Sequence, residues 1–506
     1  MPDDTTATGG TSAPDPRLEA MLAGLDRLRM AGLIGEAEYT ARYATITARM
    51  GEGPVPAPLP TLAAPQPGSA QRPSPPAPPR EVAPPHTDTP APPPPPPSPG
   101  RRTAPPVAAA AIAGVLAVAG FGAVQLRNRG GATGSVSSTP ALGTAGGAEP
   151  ATLQEFLPAA KVFVASQRGL AFTKDVPVSF LDDTAFEAKF LEGNPTQSID
   201  RQAVKDEERV LKATHLIAPS VDLAGLVRQS GALGIEGFYD FKEKALYVRG
   251  TKPTPYVREV LVHELTHAAQ DQHFGLDRQL PPSRSAESGL AFLALAEGDA
   301  TRIEHAYRAT ESVADQALAQ EANQGTPAER AAARQIPAVF LELGSFPYTA
   351  GEQFVNVLAA NGGNAAVDQA FEEPPTTSAQ ILEPARYLTG GGYGRLAIPS
   401  APVAPFDGGV WGALGYKVIF DHLVQTGALS PQNAAAGARA WGADFWLAWD
   451  QGSRTCWRDD VAAADPASAP ALVAGISAYV ASGNGAIQVG GRLTGSGPFQ
   501  ITACTG

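Results

Sequence analysis

Sulfur-bearing side chains are nearly missing from this chain of 506 residues, which has two cysteines, Cys456 and Cys504, and four methionines, Met1, Met21, Met30 and Met50. Two cysteines allow one bridge at most. Both lie far toward the C-terminus, as a structural disulfide in an oxidising compartment requires. Basic runs are missing too. Thirty-eight lysines and arginines against fifty aspartates and glutamates leave a net charge of −12. No stretch is positive enough to release counterions from a phosphate backbone, which excludes nucleic acid as a partner. The N-terminal part also lacks an ordinary cleaved export signal.

What the chain has in excess is glycine and proline, 53 and 49 residues, a fifth of the whole. The excess is local, and it divides the chain. In residues 15–50, Leu18, Met21, Leu22, Leu25 and Leu28 recur at helical spacing, and a break at Ala31-Gly32-Leu33-Ile34 precedes a second helix from Glu36. This predicts a helical hairpin too small to be stable alone, and so suited to self-association or to a partner. Its Leu25-x2-Leu28-x3-Gly32-Leu33-Ile34-x-Glu36-x-Glu38-Tyr39 pattern resembles the SHOCT-like module, which implies the same role. Residues 51–106 follow, with 23 prolines in the 54 positions from Gly53 to Pro106; they are expected to be a disordered spacer rich in polyproline II.

Val107 to Leu126 then runs twenty residues without a charge, bracketed by Arg101, Arg102, Arg127 and Arg129. At about 1.5 Å per residue it matches a bilayer core and predicts one transmembrane helix, 107–126, in a bacterial cell membrane. The flanking arginines tie, so charge does not orient it. The cysteine positions favour a cytoplasmic N-terminus and an extracellular C-terminal domain. Residues 127–150 read as a flexible tether, leaving 151–506 as one large domain.

Within that domain, His263-Glu264-Leu265-Thr266-His267 places two imidazoles four residues apart. On a helix these share a face and can converge on one metal ion, while Glu264 lies about 100° round the axis. Zn²⁺ in such a site, with one position left open, lowers the pKa of water to about 7, and an adjacent carboxylate can take the proton as a carbonyl is attacked. The flanks support a helix. Thr254 suits the N-cap and Pro255 the first helical position, and Val257, Val260, Leu261, Leu265 and Ala268 form an apolar stripe. Upstream, Gly237-Phe-Tyr-Asp-Phe and Ala245-Leu-Tyr-Val-Arg-Gly read as two strands around a polar turn. Downstream, the stretch from Ala291 to Thr301 reads as a second helix carrying Glu297.

Strand, HExxH helix and glutamate helix, in that order, resemble the gluzincin metallopeptidases, the thermolysin-like clan, especially its compact single-domain members. That resemblance implies His263, His267 and Glu297 as zinc ligands, Glu264 as general base, and a protein or peptide substrate. It also implies that the strand near Tyr247 to Arg249 is a sheet edge available to an extended peptide. The oxyanion donor is left open among Tyr348, Tyr387, Tyr393 and His422. His273 offers a rival third ligand, because HELTHAAQDQH has metzincin spacing. That clan requires glycine where this chain has Gln270, and a methionine beneath the metal, which no residue after Met50 can supply. One departure from the gluzincin pattern concerns the aspartate usually four residues after the ligand glutamate. Here that position is Thr301 and the aspartate is Asp299, so the pattern leaves open which group orients His263.

Three further stretches, Phe346-Pro-Tyr348-x2-Gly351, Thr377-Ser-x-Gln380 and Trp441-Gly442-x2-Phe445, resemble segments of bacterial proteins that carry both HExxH and EGDA. The expected fold is α+β and mainly helical: a gluzincin-like domain with a small antiparallel sheet, preceded by hairpin, spacer and transmembrane helix. The expected activity is zinc-dependent peptide hydrolysis. The alternative is a non-catalytic envelope scaffold whose protease-like domain only binds. Cys456 and Cys504 are expected to pair.

Overall fold

A computed structural model describes residues 150–193, 201–230, 235–276, 286–391, 394 and 396–505. The helical hairpin of 15–50, the spacer of 51–106, the span of 107–126 and nearly all of the tether lie outside the described residues. The expected transmembrane helix is corrected here. Among the described residues no helix is long and apolar enough to cross a membrane.

The described residues open on α1 (Leu153–Arg168), β1 (Val178–Leu181), α2 (Asp183–Gly193), α3 (Arg201–Ala213) and α4 (Leu223–Ser230). A hairpin follows, β2 (Gly237–Asp240) and β3 (Ala245–Arg249). Next come the HExxH helix α5 (Pro255–Phe274) and α6 (Ala286–Arg308), then the shorter α7 (Val313–Asn323) and α8 (Pro327–Ala333). The Thr254 hydroxyl accepts from the Val257 N–H and Pro255 opens α5; Gly275, at φ 64°, ends it. Both ends are those the side-chain chemistry predicts.

The sheet beside α5 differs from expectation. Its order is β1-β3-β2, with β1 parallel and β2 antiparallel to β3. The sheet is therefore mixed, and β3, with Tyr247 and Arg249, is its centre. The edge nearest the HExxH helix is β2, whose Tyr239 N–H turns away from the sheet to donate to Glu264.

The second half is built around α9 (Ala338–Glu372), which bends at Gly362 and Gly363, followed by α10 (Ser378–Leu382) and α11 (Pro384–Leu388). A five-stranded antiparallel sheet closes the fold, ordered β4-β5-β6-β8-β7. Its strands are β4 (Asp407–Gly409), β5 (Trp441–Gln451), β6 (Arg454–Ala463), β7 (Ile487–Gly490) and β8 (Phe499–Cys504). Helices α12 (Gly412–Gln425), α13 (Pro431–Arg439) and α14 (Ala469–Ser482) complete the elements of the described residues. The long β5–β6 hairpin is absent from the sequence reading because β5 is buried almost throughout from Trp441 to Trp449, and so lacks the period-two alternation of a half-buried strand.

Two cores result. One joins α1, β3, α5 and α6 through Phe163, Leu246, Leu261, Leu265 and Ile303. The other runs without interruption from α6 through α9 and α12 to the large sheet, with Phe354, Phe371, Phe420 and Trp457 fully buried. Helix α6 belongs to both, so the helix bearing Glu297 is held from two sides.

Helices α6 and α9 meet backbone to backbone. A Cβ added at Gly298 would lie 2.1 Å from the carbonyl carbon of Gly351, and one at Gly351 would lie 2.1 Å from the Ala294 oxygen. No side chain larger than hydrogen fits at either crossing point. This explains the glycines in both the EGDA stretch and the Phe346-Pro-Tyr348-x2-Gly351 stretch. Their joint effect is to bring Tyr348, one turn before Gly351, against Glu297.

Cys456 and Cys504 are directly opposed on β6 and β8 and are joined by a disulfide. Replacing both by serine should lower stability by about 3–4 kcal/mol, the loop-entropy value for its 48-residue separation. Denaturant unfolding of the oxidised protein and the double variant measures this; equal midpoints would show that the bridge does not stabilise the domain.

Near the start of α6, Glu287 is 3% exposed and accepts from both the Ser378 N–H, at 2.7 Å, and the Ser378 hydroxyl, at 2.6 Å. Burial, with Asp444 adding to it, pushes this carboxyl up to about 8 against those two donors. The folded state therefore binds a proton that the unfolded chain releases near the ordinary value of 4.5. Its contribution is fully present below that value and is lost as pH rises through about 8. Glu287→Gln should flatten this decline by an amount on the order of a few kcal/mol. Urea midpoints across the window test it, and parallel slopes for variant and parent would remove Glu287 as the cause.

Candidate metal centre

Helix α5 is buried on nearly every side, and polar side chains within so enclosed a helix need partners. His263 and His267 find theirs on α6. The Nε2 atoms of His263 and His267 are 3.1 Å apart, and each is 3.2 Å from the same Glu297 oxygen, Oε2. All three residues are buried, and together they could hold a metal ion. Among the described residues no other group of three such side chains is so arranged.

The far side of each ring is also engaged. His263 Nδ1 faces Glu304 Oε2 at 3.1 Å, and His267 Nδ1 faces Gln270 Oε1 at 3.0 Å. Both partners are acceptors, so each ring carries its proton on Nδ1 and turns the Nε2 lone pair inward. Two lone pairs and a carboxylate oxygen thus converge on one point. Their separations are close to the edge, about 3.3 Å, of a tetrahedron whose ligands lie about 2.0 Å from its centre.

The electrostatics agree. Burial opposes charge on both imidazoles, yet Glu297 and Glu304 raise His263 well above its ordinary value, and Glu297 raises His267. The two histidines in turn hold Glu297 below the usual carboxylate range despite its burial. The cluster calls for positive charge at its centre. A proton can satisfy one contact at a time, whereas a divalent cation satisfies all three.

Glu264, next in the chain to His263, accepts from Tyr239 N–H at 2.9 Å. Burial raises its carboxyl above the ordinary value, with the two histidines opposing and Glu297 adding. Of the four oxyanion candidates, Tyr348 reaches the site. Its ring lies 6.2 Å from that of His263, and its hydroxyl hydrogen-bonds to Glu297. Tyr387 instead donates to the Glu373 carbonyl at 2.8 Å, and His422 lies on α12, away from these ligands. Tyr393 is outside the described residues. His273 is exposed and turns its Nε2 to the Ala171 carbonyl at 2.7 Å, on a different face of α5 from the ligand pair.

Two partners were not legible. Glu304 supplies the carboxylate on His263, and it lies seven residues after Glu297, two turns along the same face of α6. A search at that spacing as well as at four residues finds it. Gln270, notable in the sequence only as the residue standing where a metzincin glycine would be, orients His267. No protein-family model, no curated protein and no solved structure matches this chain.

Glu297→Ala should abolish tight binding of an added divalent metal ion, whereas His273→Ala should leave it nearly unchanged, in a competition titration against a chromophoric chelator. The reverse pattern would reassign the third ligand.

Proposed function

We propose that the chain is a zinc-dependent peptidase, with His263, His267 and Glu297 as metal ligands and Glu264 as general base. The observation that carries this reading is the convergence of two imidazole lone pairs and a carboxylate oxygen, each imidazole held in the required tautomer by its own acceptor. Two nitrogens and one carboxylate suit zinc, and three protein ligands leave a position open, as catalytic rather than structural sites do. When bound, zinc would act as a Lewis acid toward a carbonyl and lower the pKa of water.

The protein's own groups supply the rest. Glu264, its carboxylate steadied by the Tyr239 amide, takes a proton and later returns it to the departing amine. The Tyr348 hydroxyl, held beside Glu297 by the close crossing of α6 and α9, donates to the oxygen on which negative charge develops. A peptide substrate is supported by the gluzincin resemblance. It is also supported by β2, a sheet edge bordering Glu264, along which an extended chain can add as a further strand. The disulfide fits a domain working in an oxidising compartment outside the cytoplasm.

The purified protein should hold one zinc per chain and cleave an unstructured polypeptide in a chelator-sensitive way. Glu264→Gln should keep the zinc and reduce turnover by several orders of magnitude. Tyr348→Phe should lower kcat by about 10²–10³-fold with little change in KM. Zinc-free protein would sink the metallopeptidase reading. Stoichiometric zinc without cleavage would favour the binding scaffold instead.

A further inference from the structure

Beneath His267 lies a chain of buried polar groups that the proposed chemistry does not use. Gln270, Asp299 and Arg168 are each 0% exposed. The Gln270 amide nitrogen donates to the Ala296 carbonyl at 3.1 Å and to Asp299 Oδ2 at 3.0 Å. The same Asp299 oxygen accepts from Arg168 Nε at 2.5 Å, while Arg302 donates to Oδ1 at 3.0 Å. A second carboxylate, Asp368 on α9, lies 2.7 Å from Arg168 Nη2. Arg168 is the last residue of α1, so this chain of contacts links four helices, α1, α5, α6 and α9.

Burying an arginine and an aspartate is costly, and such a pair is weak evidence of added stability. Its geometry points to a different use. A glutamine side chain can sit either way round, because its oxygen and nitrogen occupy nearly the same space. At Gln270 both acceptors, the Ala296 carbonyl and Asp299, lie on one side. They hold the amide nitrogen there and leave the oxygen facing His267 Nδ1. Turned over, the amide would present N–H to Nδ1, which would have to accept, and the ring proton would move to Nε2. That proton would stand where a metal must bind. Asp299 therefore selects the tautomer of His267 from one residue further away, and Arg168 holds Asp299 in place.

We propose that Asp299 and Arg168 are positioning residues that act through Gln270 to keep His267 protonated on Nδ1, with its Nε2 open toward Glu297 and His263. The inference deepens the metal-centre reading and rests on it for its consequence, metal affinity. The tautomer itself can be observed without metal. It also assigns the aspartate of the EGDA stretch, at two rather than four residues after Glu297, to the second histidine instead of the first.

Two measurements on the full chain test this. In metal-free protein at alkaline pH, long-range ¹⁵N–¹H correlation spectra should show His267 protonated on Nδ1. In Gln270→Met, a near-isosteric change, the Nε2–H form should become populated. An Nε2–H tautomer in the parent protein, or an unchanged tautomer in the variant, would overturn the relay whether or not zinc binds. In zinc competition titrations, Gln270→Met and Arg168→Met should each weaken affinity by about 10–100-fold. Arg168→Lys, which keeps a buried cation on Asp299, should restore most of it. The double variant Arg168→Met/Gln270→Met should be no weaker than Gln270→Met alone, because both act on one path. Additive losses would mean that Arg168 acts by another route and would sink the proposal. Should Arg168→Met fail to fold, the tautomer comparison and Arg168→Lys still decide it. A parent protein that binds no zinc yet shows the Nδ1–H tautomer would fail the peptidase reading while upholding the relay.

Discussion

Lone pairs repel, and the centre of this molecule holds three of them together. Two imidazole nitrogens and a carboxylate oxygen within about 3 Å of one another, shielded from water, are tolerable only around positive charge. Much of the surrounding structure can be understood as what is needed to keep them there. Each ring is turned by an acceptor on its outer nitrogen: Glu304 for His263 and Gln270 for His267. Each acceptor is held in turn. Arg308 pairs with Glu304, and Asp299 anchors Gln270. The arrangement is a set of donors and acceptors ordered outward from one point.

The helices that carry these groups are brought close by the absence of side chains as much as by their presence. At Gly298 and Gly351, α6 and α9 touch through their backbones, and Glu297 and Tyr348 flank this contact. Because α6 also packs into two separate cores, one with the sheet beside α5 and one with the large C-terminal sheet, Glu297 cannot shift without disturbing both. A metal ligand on such a helix is preorganised, its geometry set before any ion arrives.

Local chemistry in the sequence foretold a good deal. Thr254 and Pro255 mark the start of the HExxH helix, the four-residue spacing of His263 and His267 puts them on one face, and a carboxylate on a second apolar helix pointed to Glu297. The residues around the ligands were harder to see. Glu304 departs from the spacing of the gluzincin pattern, Gln270 looked only like a missing glycine, and Arg168 stands 131 positions from Asp299. The β5–β6 hairpin escaped for a related reason, since β5, buried on both faces, carries no alternation to read.

The sequence by itself determined which side chains can bind a metal, where their helices begin, and that two cysteines were available to pair. These follow from spacing along a helix and from the chemistry of single residues, which act over a few positions. Tertiary structure alone decided that β2 and not β3 forms the sheet edge beside Glu264. It also decided that Tyr348 rather than Tyr387 or His422 faces the ligands, and that Asp299 serves His267 rather than His263. Each of those outcomes depends on how distant helices cross and which strand lies in the middle. They are set by packing between segments whose separation along the chain carries no local signal.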